Sequence, residues 1–231
     1  MQGCVWTGVM VFAVMASSPA SGAIMLQSGS LSAIQRSSDP DDTRTPVRPV
    51  RLGRTTLDQQ GPADFDERTD VDQTADVSPV AIVLDGLLES MTSGTGRATS
   101  GVMSARVRFT VSAALPYDFA LTVDAEAASD PLISIKANAG PSPLFSFTGG
   151  GPGRVQAFED QYVLVPGTVY TIDVRLDTAL PGNDEGVEES ASVSYALALT
   201  ELPEPGALVL LGLGGVLVGG VGGGRRRGRD L

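Results

Sequence analysis

Between about Val80 and Thr200 the chain alternates apolar and polar side chains with a period of two. Val107, Phe109 and Val111 alternate with Arg106, Arg108, Thr110 and Ser112, and Tyr117, Phe119, Leu121 and Val123 with Asp118, Ala120, Thr122 and Asp124. Ile133 and Ile135 alternate with Ser134 and Lys136; Tyr170, Ile172, Val174 and Leu176 alternate with Thr171, Asp173 and Arg175. Val193, Tyr195, Leu197 and Leu199 close the series. Successive side chains of a strand point to opposite faces, so each run predicts a strand with one buried and one wet face. Turn residues separate the runs, Pro166-Gly167 among them, and no amphipathic helix competes. The expectation is an all-β fold, an antiparallel β-sandwich or jelly-roll-like domain over residues 80–202. At about 120 residues it is large enough for one two-layer core.

Residues 24–79 lack that rhythm. The tract DPDDTRTPVRPVRLGRTTLDQQGPADFDERTDVDQTADVSP has scattered apolar positions and no sustained period, apart from a short extended stretch at 47–52. Such a composition buries too little apolar area to offset its chain entropy, and predicts a disordered polar linker over 24–79.

The two ends are apolar in a different way. Residues 1–23 hold an uncharged apolar stretch from Val5 to Ala16 followed by small residues, with Ser21 and Ala23 at the −3 and −1 positions of a signal-peptidase site. Cleavage after Ala23 is expected, although the first basic residue is Arg36 and none precedes the apolar stretch. Cys4 follows Met-Gln-Gly and lacks the apolar residues of a lipobox. Gly206 to Gly224 is a run of 19 residues without a polar side chain. As a helix it would be about 28 Å long, close to the hydrocarbon thickness of a bilayer. Nine glycines weaken that helix in water, but in lipid a helix is what satisfies the backbone. Arg225, Arg226, Arg227 and Arg229 follow at once and act as a stop-transfer cluster that stays cytoplasmic. The expected topology is domain outside, tail inside.

Composition then removes whole chemistries. The 231 residues include no histidine, one cysteine and one lysine, with 27 acidic and 16 basic side chains. Without histidine there is no Ser-His-Asp or Cys-His catalysis and no imidazole metal ligand. A net charge of −11 opposes nucleic-acid binding, which needs a basic face. Removing Cys4 with the signal leaves a chain without disulfides.

Pro203-Glu204-Pro205, the apolar span and the arginine cluster come in order at the C-terminal end. This tripartite tail, residues 203–231, resembles the sorting signal of the PEP-CTERM proteins. The resemblance implies recognition by an exosortase, cleavage near the motif, and a context of exopolysaccharide or biofilm in a Gram-negative-type envelope. Prolines on both sides of Glu204 keep the segment extended, as a processing site requires. The stretch Leu164 to Ile172 loosely resembles the strand and turn of PEP-CTERM bodies and implies no site residue.

Candidate chemistry in the middle region is sparse. Asp184, Glu185, Glu188 and Glu189 place four carboxylates within six positions. With Asp173 or Asp177 they offer oxygen ligands for Ca²⁺, without the spacing of an EF-hand, and repelling acids on a solvated loop have the same composition. Asp118, Asp124 and Glu126, with Asp130 after them, are the available glycosidase-type carboxylates, on the polar side of a strand where acids are common. Ser134 and Lys136 share a face but lack the motif and helix of a Ser-Lys hydrolase. Gly149 to Gly153 reads as a hairpin loop, with no phosphate-loop lysine or helix. Tyr117, Tyr162, Tyr170 and Tyr195 occupy strand positions suited equally to a core or to stacking on sugar rings.

These observations lead to an exported, non-enzymatic protein of the cell surface or extracellular matrix, with no resident cofactor. Signal peptidase and exosortase are its expected processing partners, and the membrane holds it through the C-terminal helix as an intermediate. The alternative is a carbohydrate-binding module, calcium-assisted, that attaches extracellular polysaccharide to the cell.

Overall fold

The computed structural model describes residues 23–36, 43–60, 67–93, 98–125, 129–137, 143–149, 154–180 and 187–202. The signal segment before Ala23, the Pro203-Glu204-Pro205 motif, the span and Arg225–Arg229 lie outside them. So does most of the acidic loop, and no helix among the described residues is long and apolar enough to cross a membrane.

Among the described residues all regular structure is antiparallel β. The strands are β1 (Ile24–Arg36), β2 (Val47–Pro49), β3 (Gly53–Gln59), β4 (Glu67–Val77), β5 (Ala81–Thr92) and β6 (Thr99–Val111). They continue with β7 (Leu115–Ala125), β8 (Ser129–Ala137), β9 (Phe145–Thr148), β10 (Arg154–Leu164), β11 (Tyr170–Leu180) and β12 (Glu189–Glu201). Sheet I has the order β2-β1-β6-β11-β8-β9 and sheet II the order β10-β7-β12-β5-β4-β3. From β5 onward the pairings are nested: β5 with β12, β6 with β11, β7 with β10 and β8 with β9. One long hairpin is thus rolled so that its successive rungs fall alternately in the two sheets, which is a jelly-roll path.

The predicted alternation sets the faces. Val107, Phe109 and Val111 of β6, Tyr117 to Val123 of β7, Ile172 to Leu176 of β11 and Val193 to Leu199 of β12 turn their apolar members into one shared core. Val165 to Thr168 forms the predicted turn, closed by the Thr168 amide donating to the Val165 carbonyl at 3.3 Å. Gly167 has φ of 80°, the conformation that the third residue of a type II turn requires. One flank is closed by aromatic rings from both sheets: Phe119 lies 4.8 Å from Phe145, and Phe158 lies 5.1 Å from Phe147, centroid to centroid. Such tilted pairs are favourable beyond their burial.

The expected linker is corrected by the structure. Residues 24–79 supply β1 to β4, and the compact unit runs from Gly22 to Leu202. Two physical causes hid these strands. A bulge between Leu26 and Ser28 breaks the period of β1, so that Leu26 and then Gly29, Leu31 and Ala33 share one face. In β4 the inward positions include Thr69 and Gln73, which are buried but polar and erase the hydropathy contrast.

Those polar residues belong to a chain of hydrogen-bonded side chains between the sheets, in which the Oε1 atoms of Gln35 and Gln73 have no partner. Ser90 Oγ lies 2.7 Å from Thr178 Oγ1, and Thr69 Oγ1 lies 3.1 Å from Thr99 Oγ1 and 3.3 Å from Ser90 Oγ. Gln35 Nε2 donates to the Thr69 and Gln59 carbonyls at 2.6 and 3.1 Å, and Gln73 Nε2 to the Tyr195 hydroxyl at 3.2 Å. Gly101 faces this chain. A Cβ there would come within 2.7 Å of Leu88 Cδ1 and Thr69 Cγ2, so the approach requires glycine.

Candidate functional site

The point at which the chain enters and leaves the sandwich is the best-defined site. Ala23, the expected last residue of the signal, forms a reciprocal pair with Ser112: its amide donates to Ser112 Oγ at 2.9 Å, and its carbonyl accepts from the Ser112 amide at 3.1 Å. Ile24 starts β1, is 3% exposed, and donates its amide to the Pro79 carbonyl at 2.7 Å. At the other terminus the Glu201 amide donates to the Val80 carbonyl at 2.8 Å and the Leu202 amide to the Pro116 carbonyl at 3.0 Å. Pro79 and Val80 belong to one tight turn, in which the Ser78 amide donates to the Ala81 carbonyl and the Ala81 amide to Ser78 Oγ. Glu201 stands opposite Tyr117, and burial together with that carboxylate pushes the Tyr117 phenol up to about 12. Chemically this end does two things: it holds backbone in place, and it presents the residue before Pro203.

The exposed face of sheet II is acidic. Asp58 stands directly opposite Asp72, and Asp70 opposite Glu89, across neighbouring strands. Like charges so placed repel, and Arg68 offsets part of this, bonding Asp70 at 2.6 Å. A shallow cavity of about 120 Å³ lies among Asp58, Gln60, Asp70, Val71, Asp72, Leu87 and Glu89. On the same face, desolvation raises the Asp85 carboxyl; Asp72 adds to the shift and Arg54 opposes it. The exposed face of sheet I differs, because Arg106 is paired with Asp173 and Arg175 with Asp177. Sequence reading missed the acidic face entirely. Its available signal was the spacing of Asp70, Asp72 and Asp76, every second or fourth residue within a tract taken for linker.

The other candidates are placed as follows. Asp118 and Asp124 both lie on the polar face of β7, six residues or about 20 Å apart, too far to share one scissile bond. Glu126 is outside the described residues. Asp130 falls within β8 rather than in a turn, at the register position of Asp177. Ser134 and Lys136 are on β8 opposite Asp173 and Thr171. Of the acidic calcium-loop residues only Glu188 and Glu189 are described, while Asp173 and Asp177 are already in ion pairs. No group of three or more acidic or cysteine ligands capable of holding a metal occurs among the described residues. Tyr117, Tyr170 and Tyr195 are buried, and Tyr162 packs 6.0 Å from Phe119, so the tyrosines serve the core. No described aromatic side chain is exposed.

No family model matches this chain, and no curated protein matches it. Solved structures match it at low similarity. One described as "CBM4 structure and function" is 12% identical with a TM-score of 0.29, covering 64% of this chain and 78% of its own. One of TmCBM61 in complex with beta-1,4-galactotriose is 8% identical with a TM-score of 0.28, covering 65% and 88%. The GH31 alpha-xylosidase of Xanthomonas citri is 8% identical with a TM-score of 0.23, and the match spans 69% of this chain and 30% of the xylosidase.

Proposed function

We propose that this chain is an exported, non-enzymatic protein of the cell surface or extracellular matrix, whose mature body is the β-sandwich of residues 24–202. In this reading signal peptidase removes residues 1–23. An exosortase reads Pro203-Glu204-Pro205 while Gly206–Gly224 holds the chain in the membrane, and Arg225, Arg226, Arg227 and Arg229 stop its transfer. The observation that carries the reading is a coincidence of boundaries. Two cut points read from sequence motifs, after Ala23 and next to Pro203, fall within two residues of the limits of the compact unit, Gly22–Leu202. A body bounded in this way loses none of its strands when both tails are removed.

The mature body carries 12 basic and 25 acidic side chains once Arg225–Arg229, Glu204 and Asp230 are gone, a net charge of −13. That charge keeps an extracellular domain soluble, and it repels anionic polysaccharide unless divalent cations bridge the two. Replacing Pro203, Glu204 and Pro205 together by alanine tests the assignment in the native producer. Retention of the full tail in the membrane fraction is expected; release at the normal rate would refute the sorting role.

A further inference from the structure

Among the described residues the two sheets end in four edge strands, and three of these are blunted. In sheet I, β2 is three residues long and ends in Pro49, and β9 is four residues long. In sheet II, β3 has seven residues and carries Arg54 and Asp58. Shortness, proline and charge all keep an edge from pairing with another chain. The fourth edge, β10, is built differently. It runs for 11 residues without proline or lysine, and its register with β7 is unbroken from Arg154 to Leu164. No strand among the described residues pairs with its other side.

The backbone shows what that side offers. The Gln161 amide donates to Asp160 Oδ1 at 2.8 Å rather than to β7. Bonding direction alternates along a strand, so Val155, Ala157, Glu159, Gln161 and Val163 turn their N–H and C=O groups to the open side. Their side chains share the outer face of sheet II, where Val155 is 66% and Val163 68% exposed. Those are the highest exposures of any large apolar side chain described.

We infer that β10 is a self-association edge, through which two copies of this chain pair antiparallel with Glu159 on the two-fold axis. Glu159 is the middle residue of Arg154–Leu164, so centring there gives full overlap of the two strands. In that register Ala157 meets Gln161, and Val155 meets Val163 twice. About ten backbone hydrogen bonds form, each exposed valine gains an apolar neighbour, and the two copies of sheet II become one continuous sheet. Two features weaken the pairing. The Glu159 carboxylates face each other, and the Gln161 amide must leave Asp160. This inference stands apart from the export reading.

The test places cysteines in the full 231-residue chain, held in detergent micelles, with Cys4→Ser removing the native thiol. Directly opposed residues lie about 5 Å apart at Cα, within disulfide reach, whereas Val155 and its own copy would be about 26 Å apart. An equimolar mixture of Val155→Cys and Val163→Cys chains should give at least about tenfold more disulfide-linked dimer than either variant alone. Glu159→Cys should link to itself. Equal linkage in the mixture and in the single variants, as contact through Gly206–Gly224 would produce, overturns the inference; so does the absence of linkage in all of them. Adding Glu159→Gln to both chains of the mixture removes the facing charges and should speed linkage about two- to fivefold. Slower or unchanged linkage would take Glu159 off the axis and refute the register.

Discussion

The two ends of the sandwich are built from different materials. At the end where the chain enters and leaves, Ile24, Ile82, Phe109, Tyr117, Tyr170 and Leu199 fill the space between the sheets, with Phe109 stacked 5.6 Å from Tyr170. At the opposite end Gln35, Thr69, Ser90, Thr99 and Thr178 fill the equivalent space with hydrogen-bonded polar groups. The apolar end gains from every buried carbon and tolerates no cut strand. The hydroxyl end gains little net energy but fixes which strands face each other, because each group left without a partner costs more than a made bond returns. Ile24 and Glu201, in the first and last strands, are both bonded at the apolar end.

The sharpest way to break this contrast is to truncate one residue at each end. Phe109→Ala should cost about 3–5 kcal/mol in urea unfolding, because it opens a cavity beside Tyr170. Thr178→Val keeps the volume and removes the partner of Ser90, and should cost about 1–3 kcal/mol. Equal losses would mean that the two ends do not differ in kind.

Alkaline titration sharpens the comparison further. Burial raises the Tyr117 and Tyr162 phenols to about 12 from an ordinary 10.0, and raises Tyr195 as well. The folded chain therefore keeps protons that the unfolded chain releases. Stability from these groups is complete below pH 10 and is lost as pH rises toward 12. Melting temperature should be level up to about pH 9.5 and then fall, with a shallower fall in Tyr117→Phe.

The smallest effects belong to the outer faces, and they should differ in sign. Asp58→Lys replaces a repelling cross-strand pair with an attractive one and should raise stability by a few tenths to about 1 kcal/mol. Asp173→Asn removes the partner of Arg106 and should lower stability by a similar or smaller amount, since the pair is partly exposed. Salt should shrink both changes.

The same contrast explains what the sequence made legible. β6, β7, β11 and β12 were readable because long stretches of their inward positions are apolar at strict alternation, as in Tyr117, Phe119, Leu121 and Val123. β1 and β4 were not, because a bulge shifts the period of one and Thr69 and Gln73 dilute the other. Their burial is stabilised by partners 21 to 122 residues away, Ser90 and Tyr195 among them, which no local window contains. The proposed cut points after Ala23 and at Pro203 come from sequence motifs alone. That Ile24 and Glu201 both bond to the turn at Pro79 and Val80 was not legible, because it depends on the rolled path of the strands between them.

The central claim, that residues 24–202 are an exported body freed from both tails, is tested most directly by the intact mass and terminal peptides of the protein from its native producer. The account predicts a chain that starts at Ile24 and ends between Pro203 and Gly206. A membrane-bound form that keeps Arg225 to Arg229 would contradict it.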